Sequence, residues 1–216
     1  MLVFLFILVI LVKKKCQAVR TLVTSCRVDV VCLQETKMAA VSRGTILSML
    51  GSDFTNWVQL PSVGASGGIL IAWRHGLDRA QASRIDQYSV STQFSTSDLQ
   101  PWWLTCVYGP QGDDNKILFL QEIKNLRAGC QGPGLVVGDF NLITSVEDKN
   151  NGNINRAMVG RICSFGLSLG LREFPPFSPL RPPSFREFFV WSSFGLAQQR
   201  EIFCVLLGSV TVPLYL

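Results

Sequence analysis

The sequence has a single histidine, His75, and none of its seven cysteines stands in a Cys-x-x-Cys pair. A zinc site built on the usual His/Cys spacings is thereby excluded. The cysteines (Cys16, Cys26, Cys32, Cys106, Cys130, Cys163 and Cys204) are odd in number and scattered. This favours a reducing compartment, nuclear or cytoplasmic, over a disulfide framework. Charge is also scarce, at 16% of residues against the usual ~25%. Disorder is nevertheless excluded by a hydrophobic fraction of 48%. The apolar run Met1 to Val12 is shorter than the roughly 20 residues a bilayer-spanning helix needs. No basic region precedes it and no small-residue cleavage site follows it, so it does not read as a signal peptide. Internal repeats are absent.

What is present fits one domain large enough to bury a sizeable core. A net charge of +5 (20 basic, 15 acidic) suits a polyanionic partner such as nucleic acid without requiring one. The chain divides into an apolar segment 1–15, a main domain 16–171 and a Pro/Phe-rich tail 172–216. Three readings of the first segment stay open. It is a buried first strand, a weak membrane anchor with Lys13, Lys14 and Lys15 at the headgroups, or an out-of-place translated piece. The strand is favoured and membrane contact is not.

Periodicity places helices at 16–27, 39–50, 116–126 and 156–169. Apolar runs place strands at 28–33, 69–73, 87–94, 101–108 and 135–137. Hairpins among the middle strands point to a layered α/β fold with mixed sheets. In the tail, five prolines between Pro175 and Pro183 forbid a helix or central strand. Phe188 to Trp191 reads as one further strand, and Ile202 to Leu216 is apolar without a clear period. The tail is a proline-rich loop with a last strand, or a segment decayed or read from an altered frame.

Polar groups with chemical potential stand where apolar strands end. Glu35 follows Val28 to Leu33, and a hard cation needs such an oxygen on a rigid element. Asp139 and Asn141 flank Phe140 after another strand; they can serve as base and phosphate donor, or simply form an Asx turn. Tyr108 ends a third strand before Gly109-Pro110 and either reaches the same face or packs over the turn. His75 reads as a surface loop residue.

The segments Val31-Cys32-Leu33-Gln34-Glu35-Thr36-Lys37-Met38, Gly67-Gly68-Ile69-Leu70-Ile71-Ala72-Trp73, Val107-Tyr108-Gly109-Pro110 and Val137-Gly138-Asp139-Phe140-Asn141 together resemble the endonuclease/exonuclease/phosphatase superfamily. The nearest likeness is to the endonuclease domain of plant non-LTR (LINE-type) retrotransposons, over about 28–170. The resemblance implies a four-layer α/β sandwich, deoxyribonuclease-like, with its site at one end of two sheets. It implies Glu35 on the metal, Mg²⁺ or Mn²⁺, and Asp139 activating water. Asn141 would bind the scissile phosphate, with Tyr108 stabilising it. DNA is the implied substrate, nicked in the retrotransposon members to start reverse transcription. No small-molecule cofactor is expected.

The sequence also departs from this pattern. The family's early Trp-Asn is not found, since no asparagine precedes Asn56. Phe188-Phe189-Val190-Trp191-Ser192-Ser193 resembles the family's Phe-Thr-Trp-Ser strand, but Arg200 and Glu201 stand where an aspartate and an arginine are expected, and no Asp-His occurs. The expectation is an incomplete, weakly active or inactive nuclease. A phosphatase of the same superfamily acting on a small phosphate ester, or a non-catalytic remnant with a possible tether, are the rivals.

Overall fold

In the computed structural model the described residues are 2–8, 13–64, 67–77, 82–96, 99–141, 172–173, 188–192, 202–207 and 212–214. The helix expected at 156–169 lies outside them. Among the described residues twelve strands form two six-stranded sheets. The first sheet contains β1 (Leu2–Leu8), β2 (Val30–Gln34), β3 (Phe54–Leu60), β4 (Ile69–Arg74), β11 (Ile202–Leu207) and β12 (Val212–Leu214), in the order β12-β11-β1-β2-β4-β3. The second contains β5 (Ala82–Ile85), β6 (Ser89–Thr96), β7 (Leu99–Tyr108), β8 (Gly134–Asp139), β9 (Arg172–Glu173) and β10 (Phe188–Ser192), in the order β5-β6-β7-β8-β10-β9. Three helices, α1 (Lys13–Ser25), α2 (Arg43–Met49) and α3 (Asp113–Gly129), complete the described elements.

Side-chain alternation builds the layers. Successive residues of a strand point to opposite faces. Val30 and Cys32 of β2, with Ile69, Ile71 and Trp73 of β4, face Val90, Phe94, Trp102, Leu104, Cys106, Leu135 and Val137 of the second sheet. Val31, Leu33, Leu70 and Ala72 point the other way, onto Val19 and Val23 of α1 and Ile46 and Met49 of α2. Trp103, Val107 and Val136 point outward from the second sheet onto Phe119, Leu120, Ile123 and Leu126 of α3. The order helix–sheet–sheet–helix is the four-layer α/β sandwich. Both faces of β2, β4, β7 and β8 are covered, which is why these segments read as continuous apolar runs.

The first apolar residues are a strand. Leu2–Leu8 pairs in parallel with β2 and antiparallel with Ile202–Leu207. The helix read from Cys16 begins earlier, at Lys13, so the three lysines form its first turn. Among the described elements β3, β5 and β9 went unread, and the C-terminal apolar run, read as at most one last strand, holds two, β11 and β12. No helix among the described residues is long and apolar enough to cross a membrane.

Candidate active site

β2 of one sheet and the parallel pair β7 and β8 of the other all finish at the same end of the sandwich. Glu35 follows the last residue of β2, while Tyr108 and Asp139 are cross-strand neighbours closing β7 and β8. The Tyr108 hydroxyl donates a short hydrogen bond to the Glu35 carboxylate, joining residues from the two sheets. The Asn141 backbone N–H donates to Asp139 Oδ1 at 2.9 Å, and the Asn141 amide donates to the Gly109 carbonyl at 2.7 Å. The Gly109 N–H donates back to the Asp139 carbonyl at 2.7 Å. The Asx turn and the shared site, set against each other in the sequence, therefore coexist. The turn is what fixes the carboxylate.

The backbone here is unusual. Glu35 has φ 48° and Asn141 has φ 48°, both left-handed without being glycine. Such residues cost roughly 1–2 kcal/mol each and cluster where structure overrides local preference. Gly109 could carry no side chain, because a Cβ would fall on the Phe140 carbonyl. The two strand ends can close together only with glycine at this position.

A cavity of about 480 Å³ opens beside this cluster, its lining including Glu35, Val63, Gly68, Tyr88, Tyr108 and Pro110. Gln87 and Tyr88, which also line it, are held by α3. The Glu122 carboxylate accepts from the Gln87 N–H at 3.0 Å, the Tyr88 N–H at 3.1 Å and the Ser89 hydroxyl at 2.5 Å. The Tyr88 carbonyl in turn accepts from the Tyr108 N–H at 2.9 Å.

The electrostatics follow from burial and crowding. Burial raises the proton affinity of Asp139. Its hydrogen bond from Asn141 opposes this, and the nearby Glu35 charge adds to the rise. Burial, then the hydrogen bond to Glu35, pushes the Tyr108 phenol well above the ordinary tyrosine range. Tyr108 is thus a neutral donor at any working pH. Two carboxylates near enough for the Glu35 charge to act on Asp139 make an all-oxygen donor set that suits a hard divalent cation. Glu35 would hold such an ion, with Asp139 adjoining. Among the described residues no group of three His, Cys, Asp or Glu gathers around one point. A partial protein shell of this kind fits Mg²⁺, which usually keeps several waters.

The four candidates come together as the strand-end reading expected. His75 does not join them. It lies just past β4, whose Trp73 pairs with Val30, whereas Ile69 pairs with Gln34 at the site end. That places His75 a strand length away, on the order of 20 Å. Two residues of the site neighbourhood were missed in the sequence, Gln34 and Glu122. Gln34 entered the sequence reading only within the segment Val31 to Met38, with no role of its own, yet it is fully buried. Glu122 looked like any helix-surface carboxylate.

The endonuclease/exonuclease/phosphatase family model matches residues 16–197, and the chain belongs to that family. Its members are generally metal-dependent phosphodiester hydrolases. No curated protein matches the chain. Among solved structures it is similar to an AP endonuclease of Leishmania major (TM-score 0.56, 15% identity, covering 78% of this chain and 67% of that one). It is similar to a Neisseria 3′ phosphatase bound to product DNA hairpin (TM-score 0.58, 14% identity, 79% and 72% covered). It is also similar to the endonuclease domain of TRAS1, a telomere-specific non-LTR retrotransposon (TM-score 0.50, 12% identity, 79% and 71% covered). At such identities the likeness is one of fold, and it agrees with the four-layer sandwich.

Proposed function

We propose that the chain is a divalent-metal-dependent DNA phosphodiester hydrolase of the endonuclease type, of non-LTR retrotransposon origin and nearest the plant LINE kind, with little or no turnover of its own. The observation that carries this reading is the meeting of Glu35, Tyr108, Asp139 and Asn141 from three strand ends, with Glu35 and Tyr108 lining a cavity. Glu35 is the metal ligand. Bound Mg²⁺ or Mn²⁺ would supply Lewis acidity at a phosphate oxygen.

The other residues divide the remaining work. Asp139, with its proton affinity raised, is the acceptor for the attacking water's proton. Asn141 spends one amide hydrogen on Gly109, which aims the second at a phosphate oxygen. Tyr108 steadies Glu35 and can turn its hydroxyl to the phosphate as charge develops. The product partner of this chemistry, the leaving oxygen, needs a proton. The chain's one histidine is on the wrong end of the sheet to give it. Positioned acid–base groups contribute roughly 10²–10⁴-fold, which is the deficit expected here.

The AP endonuclease and the 3′ phosphatase bound to product DNA hairpin that share this fold support DNA as the substrate class. The test is Mg²⁺-dependent nicking of supercoiled plasmid by the purified chain beside Asp139→Ala. Slow nicking that the variant lacks, or none despite salt-sensitive duplex binding, is the expected result. Robust nicking abolished by Glu35→Ala would overturn the low-turnover reading. Absence of both cation and duplex binding would overturn the assignment itself.

A further inference from the structure

Gln34 is the last residue of β2, and its side chain is wholly buried in spite of being polar. Its amide nitrogen donates to the Val107 carbonyl on β7 through a short hydrogen bond. Its amide oxygen accepts from the Asp139 N–H on β8 at 3.1 Å. One side chain from the first sheet therefore holds two strands of the second. Its three anchoring points are chain neighbours of, or identical with, the residues of the site: Gln34 precedes Glu35, Val107 precedes Tyr108, and Asp139 is itself held.

The surroundings are cut to fit this amide. Gly138 has φ 149°, and a Cβ there would collide with the Gln34 amide nitrogen and the Val107 carbonyl. A side chain at position 138 would displace the link. The choice of glutamine follows from its chemistry. A primary amide offers a donor and an acceptor side by side on one planar end at any working pH; an ionised carboxylate lacks the donor, and lysine or arginine lacks the acceptor. Asparagine is one methylene shorter.

We infer that Gln34 is a positioning residue, which ties the end of β2 to the ends of β7 and β8 and so sets where Glu35 stands relative to Tyr108 and Asp139. This rests on the metal-dependent reading of the site for its functional meaning, while the tie itself does not.

Two readouts on the full chain test it. The first is terbium binding, a hard oxygen-seeking cation whose luminescence is sensitised by nearby aromatic rings, titrated well below any melting transition. Wild type, Glu35→Gln, Gln34→Met and Met49→Ala are compared; Met49 is buried against the first sheet's outer face and reports general destabilisation. Gln34→Met is expected to weaken terbium affinity at least tenfold and Met49→Ala to leave it unchanged. The second is hydrogen exchange of 135–141 against 44–50. Gln34→Met is expected to speed exchange at least tenfold in the first segment alone. Should Gln34→Met fold poorly, Gln34→Asn serves instead: it keeps the amide but is one methylene too short to reach both strands, so the same two shifts are expected.

If Gln34→Met binds terbium like wild type and exchanges like wild type, or exchanges faster everywhere alike, the inference is overturned. If Glu35→Gln binds terbium as wild type does, or wild type binds none, the metal reading falls instead. The exchange result then decides the tie by itself.

Discussion

At the residue scale, the site trades stability for arrangement. Glu35 is held left-handed at the end of β2, where glycine would be at ease. Glu35→Gly is therefore expected to melt at or above the wild-type temperature, gaining up to about 1 kcal/mol from relieved backbone strain, while losing cation binding. Thermal unfolding with and without Mg²⁺ checks this; a fall of several degrees would mean the Tyr108 bond outweighs the strain. Asp139 shows the same trade through pH. Burial raises its pKa in the fold above the unfolded value, so the fold takes up a proton between the two values. The stability linked to this group is full in acid, below the unfolded range near pH 4, and is lost as pH rises through the folded value. Asp139→Asn keeps an acceptor for the Asn141 N–H and removes the ionisation. It is expected to melt higher than wild type at pH 7, with the margin closing toward pH 4 when unfolding is followed across that range.

At this scale the sequence was legible where chemistry stood at the end of an apolar run. Glu35, Tyr108, Asp139 and Asn141 were all found that way. Gln34 was not, because nothing local distinguishes a glutamine that ends a strand in water from one that crosses to another sheet. Its partners are 73 and 105 residues away.

At the scale of elements, α3 does more than cover a sheet. Its Glu122 latches the β5–β6 turn, which forms one wall of the cavity and holds the Tyr108 N–H. Glu122→Ala strands three donors and is expected to cost about 2–4 kcal/mol, given the strength of hydrogen bonds to a charged acceptor. In a chain of this size that is a fall of roughly 5–15 °C, readable by calorimetry or circular dichroism. Helix existence was legible from period; the latch was not, since a lone helix carboxylate is most often solvated. β3 and β5 escaped for a related reason. β3 is an edge strand, mostly half-exposed, and β5 is a short, largely exposed edge, so neither presents the apolar run that marked the central strands.

At the scale of the molecule, the site belongs to neither sheet. It forms where the two dock, and a bound cation would reward that docking. Mg²⁺ at a hundredfold excess over its Kd is expected to stabilise the fold by about 2.7 kcal/mol, a rise of roughly 5–10 °C. The shift should vanish in Glu35→Gln; an equal shift in that variant would place the ion elsewhere. The layered α/β class was legible because central strands and helices announce themselves. The pairing of Leu2–Leu8 with both β2 and β11 was not, for an apolar run of that length is as consistent with an anchor as with a strand.

Trp73 of the first sheet meets Phe94 of the second edge-on at 5.5 Å, and Phe94 stacks on Trp102 at 5.4 Å. This aromatic ladder spans the same interface that the site spans, so the protein carries an optical gauge of its own assembly. Near-ultraviolet circular dichroism from these rings reports whether the sheets are seated, while far-ultraviolet signal reports only that strands and helices exist. A preparation showing the second without the first would hold every residue of the site and have no site.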